Sequence, residues 1–161
     1  MNIFAFGFGQ VSKYFIKKLA KEKNNFELNI SSRKDSHSGL FEGIKFNSYQ
    51  FDVKKIDNKI FEAILKADYI LISIPPVNEQ DIVIKNFKEI IKKTKTKWIT
   101  YLSATSVYGN HNGDWVNEKS KTKPTTINGV NRLKAEDQWL EFSKEYNLPL
   151  QIFRLSGIYS N

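Results

Sequence analysis

The chain of 161 residues contains no cysteine, which excludes a disulfide framework, thiolate chemistry and any cysteine-based metal site. Long apolar runs are also missing. The longest, Tyr69 to Pro76, falls far short of the roughly 20 residues that span a bilayer and reads instead as a buried strand. The N-terminus lacks a basic segment, and Gly7 and Gly9 break its apolar stretch, so it does not read as a signal peptide. Together these point to a soluble, cytoplasmic protein with no membrane partner. Arginine is scarce too, with only Arg33, Arg132 and Arg154. The net charge of +8 therefore comes mainly from lysines spread over expected helix faces. Clustered cations would indicate phosphate-backbone recognition, whereas dispersed lysines indicate a solvated surface. Nucleic acid is accordingly the less favoured partner.

The chain has the length of one domain, and residues 1–161 are expected to form one. Its most informative stretch comes first. Asn2 to Phe6 form a short apolar run, followed at once by Gly7-Phe8-Gly9-Gln10-Val11-Ser12 and a segment of helical periodicity. Strand, glycine turn and helix in that order suit a nucleotide diphosphate. One glycine allows the tight turn, a second lets backbone approach the pyrophosphate, and the helix N-terminus offers free N–H groups and a positive dipole end. The third glycine position is Ser12, which is small. Glycine turns of this kind also join strands to helices for structural reasons alone.

The alternation continues. Val11, Tyr14, Phe15 and Leu19 recur at helical spacing, which predicts a helix over 11–22 with lysines near its C-terminal end. Phe26 to Ile30 read as a second strand. It ends in Ser31-Ser32-Arg33-Lys34, where an NAD-selective fold would carry an acid to bind the ribose hydroxyls. Two hydroxyls and two cations suit a ribose 2′-phosphate better, so NADP is preferred over NAD. The polar stretch 35–43, with His37, reads as a loop. Ile44 to Phe51 read as a third strand, closed by Asp52-Val53. A helical stripe through Ile56, Ile60, Phe61 and Ile64 follows.

Tyr69 to Ile74 have the β-branched richness of a central parallel strand, stopped by Pro75-Pro76. Asn78 is the expected N-cap of the next helix, with Ile84, Phe87, Ile90 and Ile91 on its apolar face. Trp98 to Leu102 make a fifth strand. Val130, Leu133, Trp139 and Leu140 mark a further helix, with Asn147 as a left-handed cap. Leu150 to Leu155 make the sixth strand. The pattern predicts an α/β Rossmann fold, a doubly wound parallel sheet of about six strands in the order 3-2-1-4-5-6, with helices on both faces.

Three segments carry a resemblance. Leu102-Ser103-Ala104-Thr105-Ser106-Val107-Tyr108-Gly109 resembles the strand-five signature of extended short-chain dehydrogenase/reductases, the NAD-dependent epimerase/dehydratase family. Arg154-Leu155-Ser156-Gly157-Ile158-Tyr159 resembles its strand-six segment. Gly113 to Glu118 resemble the loop after the V-Y-G motif in an atypical branch of that family. The resemblance implies that Gly7, Phe8, Gly9, Gln10 and Val11 surround the pyrophosphate. Ser31, Ser32, Arg33 and Lys34 would meet the adenosine ribose, and Asp52 and Val53 the adenine. Ser73, Ile74, Pro75, Leu102, Ser103 and Arg132 would line the nicotinamide side.

The family's catalytic positions are altered. The Ser/Thr position holds Ala104. Alignment on Lys134-Ala135-Glu136 puts Asn128 at the catalytic tyrosine and Arg132 at the lysine. Ser103, Ser106, Tyr108 and Arg132 stand as substitutes by proximity in sequence. Whether the chain is an oxidoreductase or a non-catalytic dinucleotide-binding or sensing module stays open. Family members continue past strand six into a substrate-closing segment, so this chain reads as a truncated gene or a minimal binding domain. Its expected partners are the dinucleotide, an unidentified small-molecule substrate and a second copy in a homodimer, with no metal.

Overall fold

The computed structural model describes residues 1–23, 25–52 and 55–158. The first strand, β1 (Asn2–Phe6), is buried from Ile3 onward, as suits a central parallel strand covered on both faces. Its neighbours are β2 (Glu27–Ser32) on one side and β5 (Tyr69–Ile72) on the other, both parallel to it. β4 (Ile44–Gln50) extends the sheet beyond β2, while β6 (Trp98–Ala104) and β7 (Leu150–Leu155) extend it beyond β5. These six strands keep the expected order.

A seventh strand corrects the expectation. Residues 37–41, expected to lie in a loop, form β3 (His37–Phe41), which pairs antiparallel with β4 at the sheet edge. The sheet order is β3-β4-β2-β1-β5-β6-β7. The hairpin turns at Glu42 and Gly43, both with positive φ (48° and 78°), the left-handed pair that a two-residue hairpin loop demands. Edge strands bury little, so apolar alternation is weak there and composition alone misleads.

One face of the sheet carries the larger core. Phe4 and Phe6 of β1, Ile70 and Ile72 of β5 and Tyr101 of β6 pack under α2 (Lys59–Leu65), α3 (Ile82–Ile91) and α4 (Ile127–Tyr146). On the other face α1 (Gln10–Glu22) inserts Ile16 against Ile3, Ala5, Leu28 and Ile30. Only Ser12 and Ile16 of α1 are buried, and Tyr14 and Phe15, expected on its apolar face, are exposed. Beyond α1, an apolar groove of about 500 Å³ runs across β5, β6 and β7 past Trp98 and Phe153.

Helix ends follow the residues' hydrogen-bonding capacity. Asn147 adopts the expected left-handed cap (φ 51°, ψ 48°). Asn78, however, is not an N-cap. It forms a tight turn with Glu79, both at positive φ, between Val77 and Gln80, which exchange two backbone hydrogen bonds. The cap of α3 is Asp81, whose Oδ1 accepts from the Val83 and Ile84 amides at 2.9 Å. Asn78 and Asp81 are equally good caps by type, and the turn decides between them.

Asp81 is 2% exposed. Burial pushes its carboxyl above the ordinary range, against the pull of its cap bonds and of Arg132. The buried charge thus weakens the fold, and this penalty grows as pH rises from about 4, the ordinary carboxylate value, through the raised one. Asp81→Asn keeps the cap acceptor without the charge. It should be at least as stable as the parent at pH 7, with the difference between the two shrinking as pH falls toward 4. Urea denaturation across that range measures it, and a difference independent of pH would mean that the charge is not the cause.

Candidate functional site

The site is built where β1 ends and α1 begins. Gly7 has φ +87°, and a Cβ there would sit 2.6 Å from Ile74 Cγ2 and 2.9 Å from Ser73 Oγ. Only glycine fits the turn and the close approach together. Ser73 ties the turn down, donating to the Phe6 and Gly7 carbonyls (3.0 and 3.2 Å) and accepting from Ser12 Oγ (2.9 Å). Ser12 is fully buried, so the small third position lets α1 bond to the end of β5. The Gly7 amide donates to Ser31 Oγ at 3.1 Å.

Gly9 differs from Gly7. It is the N-cap of α1, with φ −80°, no side-chain cap and no acid in the first turn. No atom lies within 4 Å of the place its Cβ would occupy. The start of α1, without a side-chain cap, thus borders a cavity at the positive end of the helix dipole, an arrangement that receives an anion.

Beside this turn lies a cavity of about 290 Å³ at the carboxyl ends of the strands. Gly9, Gln10 and Val11 line it from α1, and Ser73, Leu102, Ser103, Ala104 and Arg132 from the sheet and α4. Leu155, Ser156 and Ile158 complete the lining. These three were not expected at the site, and Ala104 stood in the sequence only as the altered Ser/Thr position. The Ser103 hydroxyl is buried and, among the described residues, has no hydrogen-bond partner. Arg132 Nη1 donates to the Leu102 carbonyl at 2.8 Å and to Tyr101 Oη at 3.4 Å, with the guanidinium 6.0 Å from the Tyr101 ring centre. Burial pushes the Tyr101 phenol up to about 12, although Arg132 opposes the rise.

The other expected residues fall around this centre. Ser31 and Ser32 end β2, Ser32 accepting from the Ser48 hydroxyl at 3.2 Å. Arg33 and Lys34 follow, exposed and without an ion pair among the described residues. Asp52 Oδ1 accepts from the Lys55 amide at 3.0 Å. Asp52 lines a second cavity, of about 230 Å³, with the 77–80 turn and the start of α3. Val53 lies outside the described residues, as does Tyr159. Phe8 packs on Phe41 and Phe46, with ring centres 5.1 and 5.8 Å apart. Pro75 is exposed.

Of the four candidate catalytic side chains, Ser103 and Arg132 line the cavity beside Gly9, and Ser106 and Tyr108 do not. Tyr108 is buried beneath the Arg154 guanidinium, 4.8 Å from its ring centre, and lines a separate cavity. Asn128 is exposed on the first turn of α4. A buried tyrosine in a strand needs a partner for its hydroxyl, and Arg132 supplies one to Tyr101.

No protein-family model and no curated protein matches the chain. Solved structures do. A functionally unknown conserved protein from Silicibacter pomeroyi aligns with TM-score 0.78 and 27% identity, over 98% of this chain and 54% of that one. The UDP-glucuronic acid 4-epimerase of Bacillus cereus, in complex with NAD, aligns with TM-score 0.77 and 19% identity, over 99% and 57%. The dTDP-glucose 4,6-dehydratase of Bacillus anthracis, also with NAD, aligns with TM-score 0.75 and 16% identity, over 96% and 54%. The chain thus spans little more than half the length of the structures it matches.

The two glycines should respond oppositely to substitution. Gly7→Ala forces a side chain into the left-handed region and into Ile74, at a cost of about 1–3 kcal/mol or more. Gly9→Ser adds a good cap in open space and should leave stability within about 0.5 kcal/mol. Chemical denaturation of the two variants compares them directly, and equal losses would contradict the geometry at Gly9.

Proposed function

We propose that this chain is an NAD(P)-binding Rossmann domain of the epimerase/dehydratase type, with NADP preferred. The observation that carries the proposal is the uncapped N-terminus of α1 behind Gly9, open at the carboxyl ends of the parallel strands, where doubly wound sheets bind ligands. The residues fit the group. The Gly9, Gln10 and Val11 backbone would hold the pyrophosphate, and Arg33 and Lys34 the ribose 2′-phosphate. The Asp52 cavity would take the adenine. The cavity holding Ser103 and Arg132 would take the nicotinamide ribose, whose hydroxyls would satisfy the buried Ser103 Oγ. When bound, the nicotinamide supplies hydride chemistry. A nucleotide sugar, whose ring hydroxyls can be oxidised by hydride loss, is the substrate class that this reading brings with it.

The second reading is a non-catalytic dinucleotide-binding or sensing module. It is favoured by the cavity lining, in which, among the described residues, Arg132 is the one ionisable side chain. A guanidinium keeps its proton at neutral pH and exchanges it poorly with a substrate. Tyr101, the nearest phenol on Arg132, is held protonated by burial. Ser103 could donate a hydrogen bond but has no base beside it.

Thermal unfolding tests the binding claim. NADPH at a hundred times its dissociation constant stabilises by about 2.7 kcal/mol, a rise of roughly 5–10 °C for a domain of this size. The same addition should leave Gly9→Val unshifted, since its side chain fills the phosphate cradle. No shift of the parent with NADPH or NADH would defeat the proposal.

The 2′-phosphate assignment has its own test. Arg33→Ala should weaken NADPH binding about tenfold or more, the worth of one charge-assisted pair, and change NADH binding little. An equal loss for both would mean that Arg33 does not read the phosphate.

A further inference from the structure

We infer that the cavity beside Gly9 selects the reduced dinucleotide over the oxidised one, and that Arg132 is the residue that discriminates. The inference rests on the dinucleotide reading and goes beyond it. The two redox forms differ by one positive charge on the nicotinamide ring. The discriminating feature is therefore the charge of the cavity that receives the ring.

That charge is of one sign. Arg132 lines the cavity, and its guanidinium is fixed there by Nη1 bonds to the Leu102 carbonyl (2.8 Å) and Tyr101 Oη (3.4 Å). The positive end of the α1 dipole is answered by the pyrophosphate that this reading seats on it, so Arg132 is the charge left to meet the ring. Among the described residues, no Asp or Glu lines the cavity. The hydroxyls of Ser73, Ser103 and Ser156 are neutral. Asp81, which interacts electrostatically with Arg132, is buried behind it as the cap of α3 and does not line the cavity.

A cavity of about 290 Å³ holds any ring inside it within a few ångströms of the guanidinium. At that range, with water largely displaced, like charges repel by more than a tenfold change in affinity, about 1.4 kcal/mol. A neutral dihydronicotinamide escapes this repulsion. The tethering of Arg132 matters, because a free side chain would swing away from the incoming charge. The buried Ser103 hydroxyl, lacking a partner among the described residues, marks the cavity as a place where a ligand's polar atoms are received.

Calorimetric titration of the full chain with NADPH, NADP⁺ and 2′-phospho-ADP-ribose, which lacks the ring, tests the inference. NADPH should bind at least about tenfold more tightly than NADP⁺, with 2′-phospho-ADP-ribose also tighter than NADP⁺. Arg132→Met should bring NADPH and NADP⁺ together, and Arg132→Lys, which keeps the charge, should preserve a preference for NADPH. Equal affinity of the parent for both redox forms would overturn the inference and leave the dinucleotide reading standing. Binding of none of the three would overturn both. If Arg132→Met fails to fold, the parent's ratio and the Arg132→Lys ratio still decide, since a lysine variant without the preference contradicts a charge-based origin.

Discussion

The close approach of β1 and β5 at Gly7 is the contact on which the site depends. With Ile74 and Ser73 packed against the missing Cβ, the two strand ends come near enough for one hydroxyl, Ser73 Oγ, to bond β1's last carbonyls while accepting from α1 through Ser12. Three elements are thereby tied at a single atom. The helix axis is aimed by this tie, and the first amides of α1 point outward over the strand ends as a result. Were residue 7 larger, the turn would widen, Ser73 would lose its partners and the amides would have no fixed direction.

The electrostatics of the site follow from what is buried behind it. Arg132 stands between a buried phenol and a strand carbonyl, with the Asp81 carboxylate contributing from the cap of α3. A guanidinium differs from a lysine ammonium in the chemistry it allows. A lysine beside a tyrosine lowers the phenol's pKa and makes an acid–base pair. Here the tyrosine is Tyr101, deep in β6, and its burial outweighs the cation and drives the phenol upward. Burial thus leaves Tyr101 protonated beside a tethered guanidinium.

How much of this was legible in the sequence differs by element. β1 and β5 were readable because parallel central strands are buried on both faces and show as continuous apolar runs. The edge strand β3 was not. Its residues His37 to Phe41 bury little, and only the Glu42-Gly43 pair signals the hairpin. Among site residues, Gly7 and Gly9 announced themselves by spacing, but the difference between them did not. One is fixed by packing and the other left open by it, and nothing local in the sequence separates the two. Ser106 and Tyr108 sat close to Ser103 along the chain, yet the turn Thr105–Val107 carries them away from the cavity. Proximity in sequence past a strand end is a poor guide, because the chain reverses there.

Arg132 also shows why α4 governs the cavity's shape. The helix is held at three levels. Near its start, Asn131 Oδ1 accepts from the Glu79 amide (3.1 Å) and Lys134 pairs with the Glu79 carboxylate. In its middle, Glu136, 1% exposed, receives Arg154 of β7 in a bidentate pair at 2.7 and 3.1 Å. On its core face, Trp139 is fully buried. A buried carboxylate is tolerated only with such a partner, so β7 and α4 must dock in one register. That register brings Leu155 and Ser156 into the lining of the cavity that Arg132 also lines. The charged wall and the rest of the lining are thus set by the fold before any ligand arrives. A cavity held in this way has little freedom to adapt by moving.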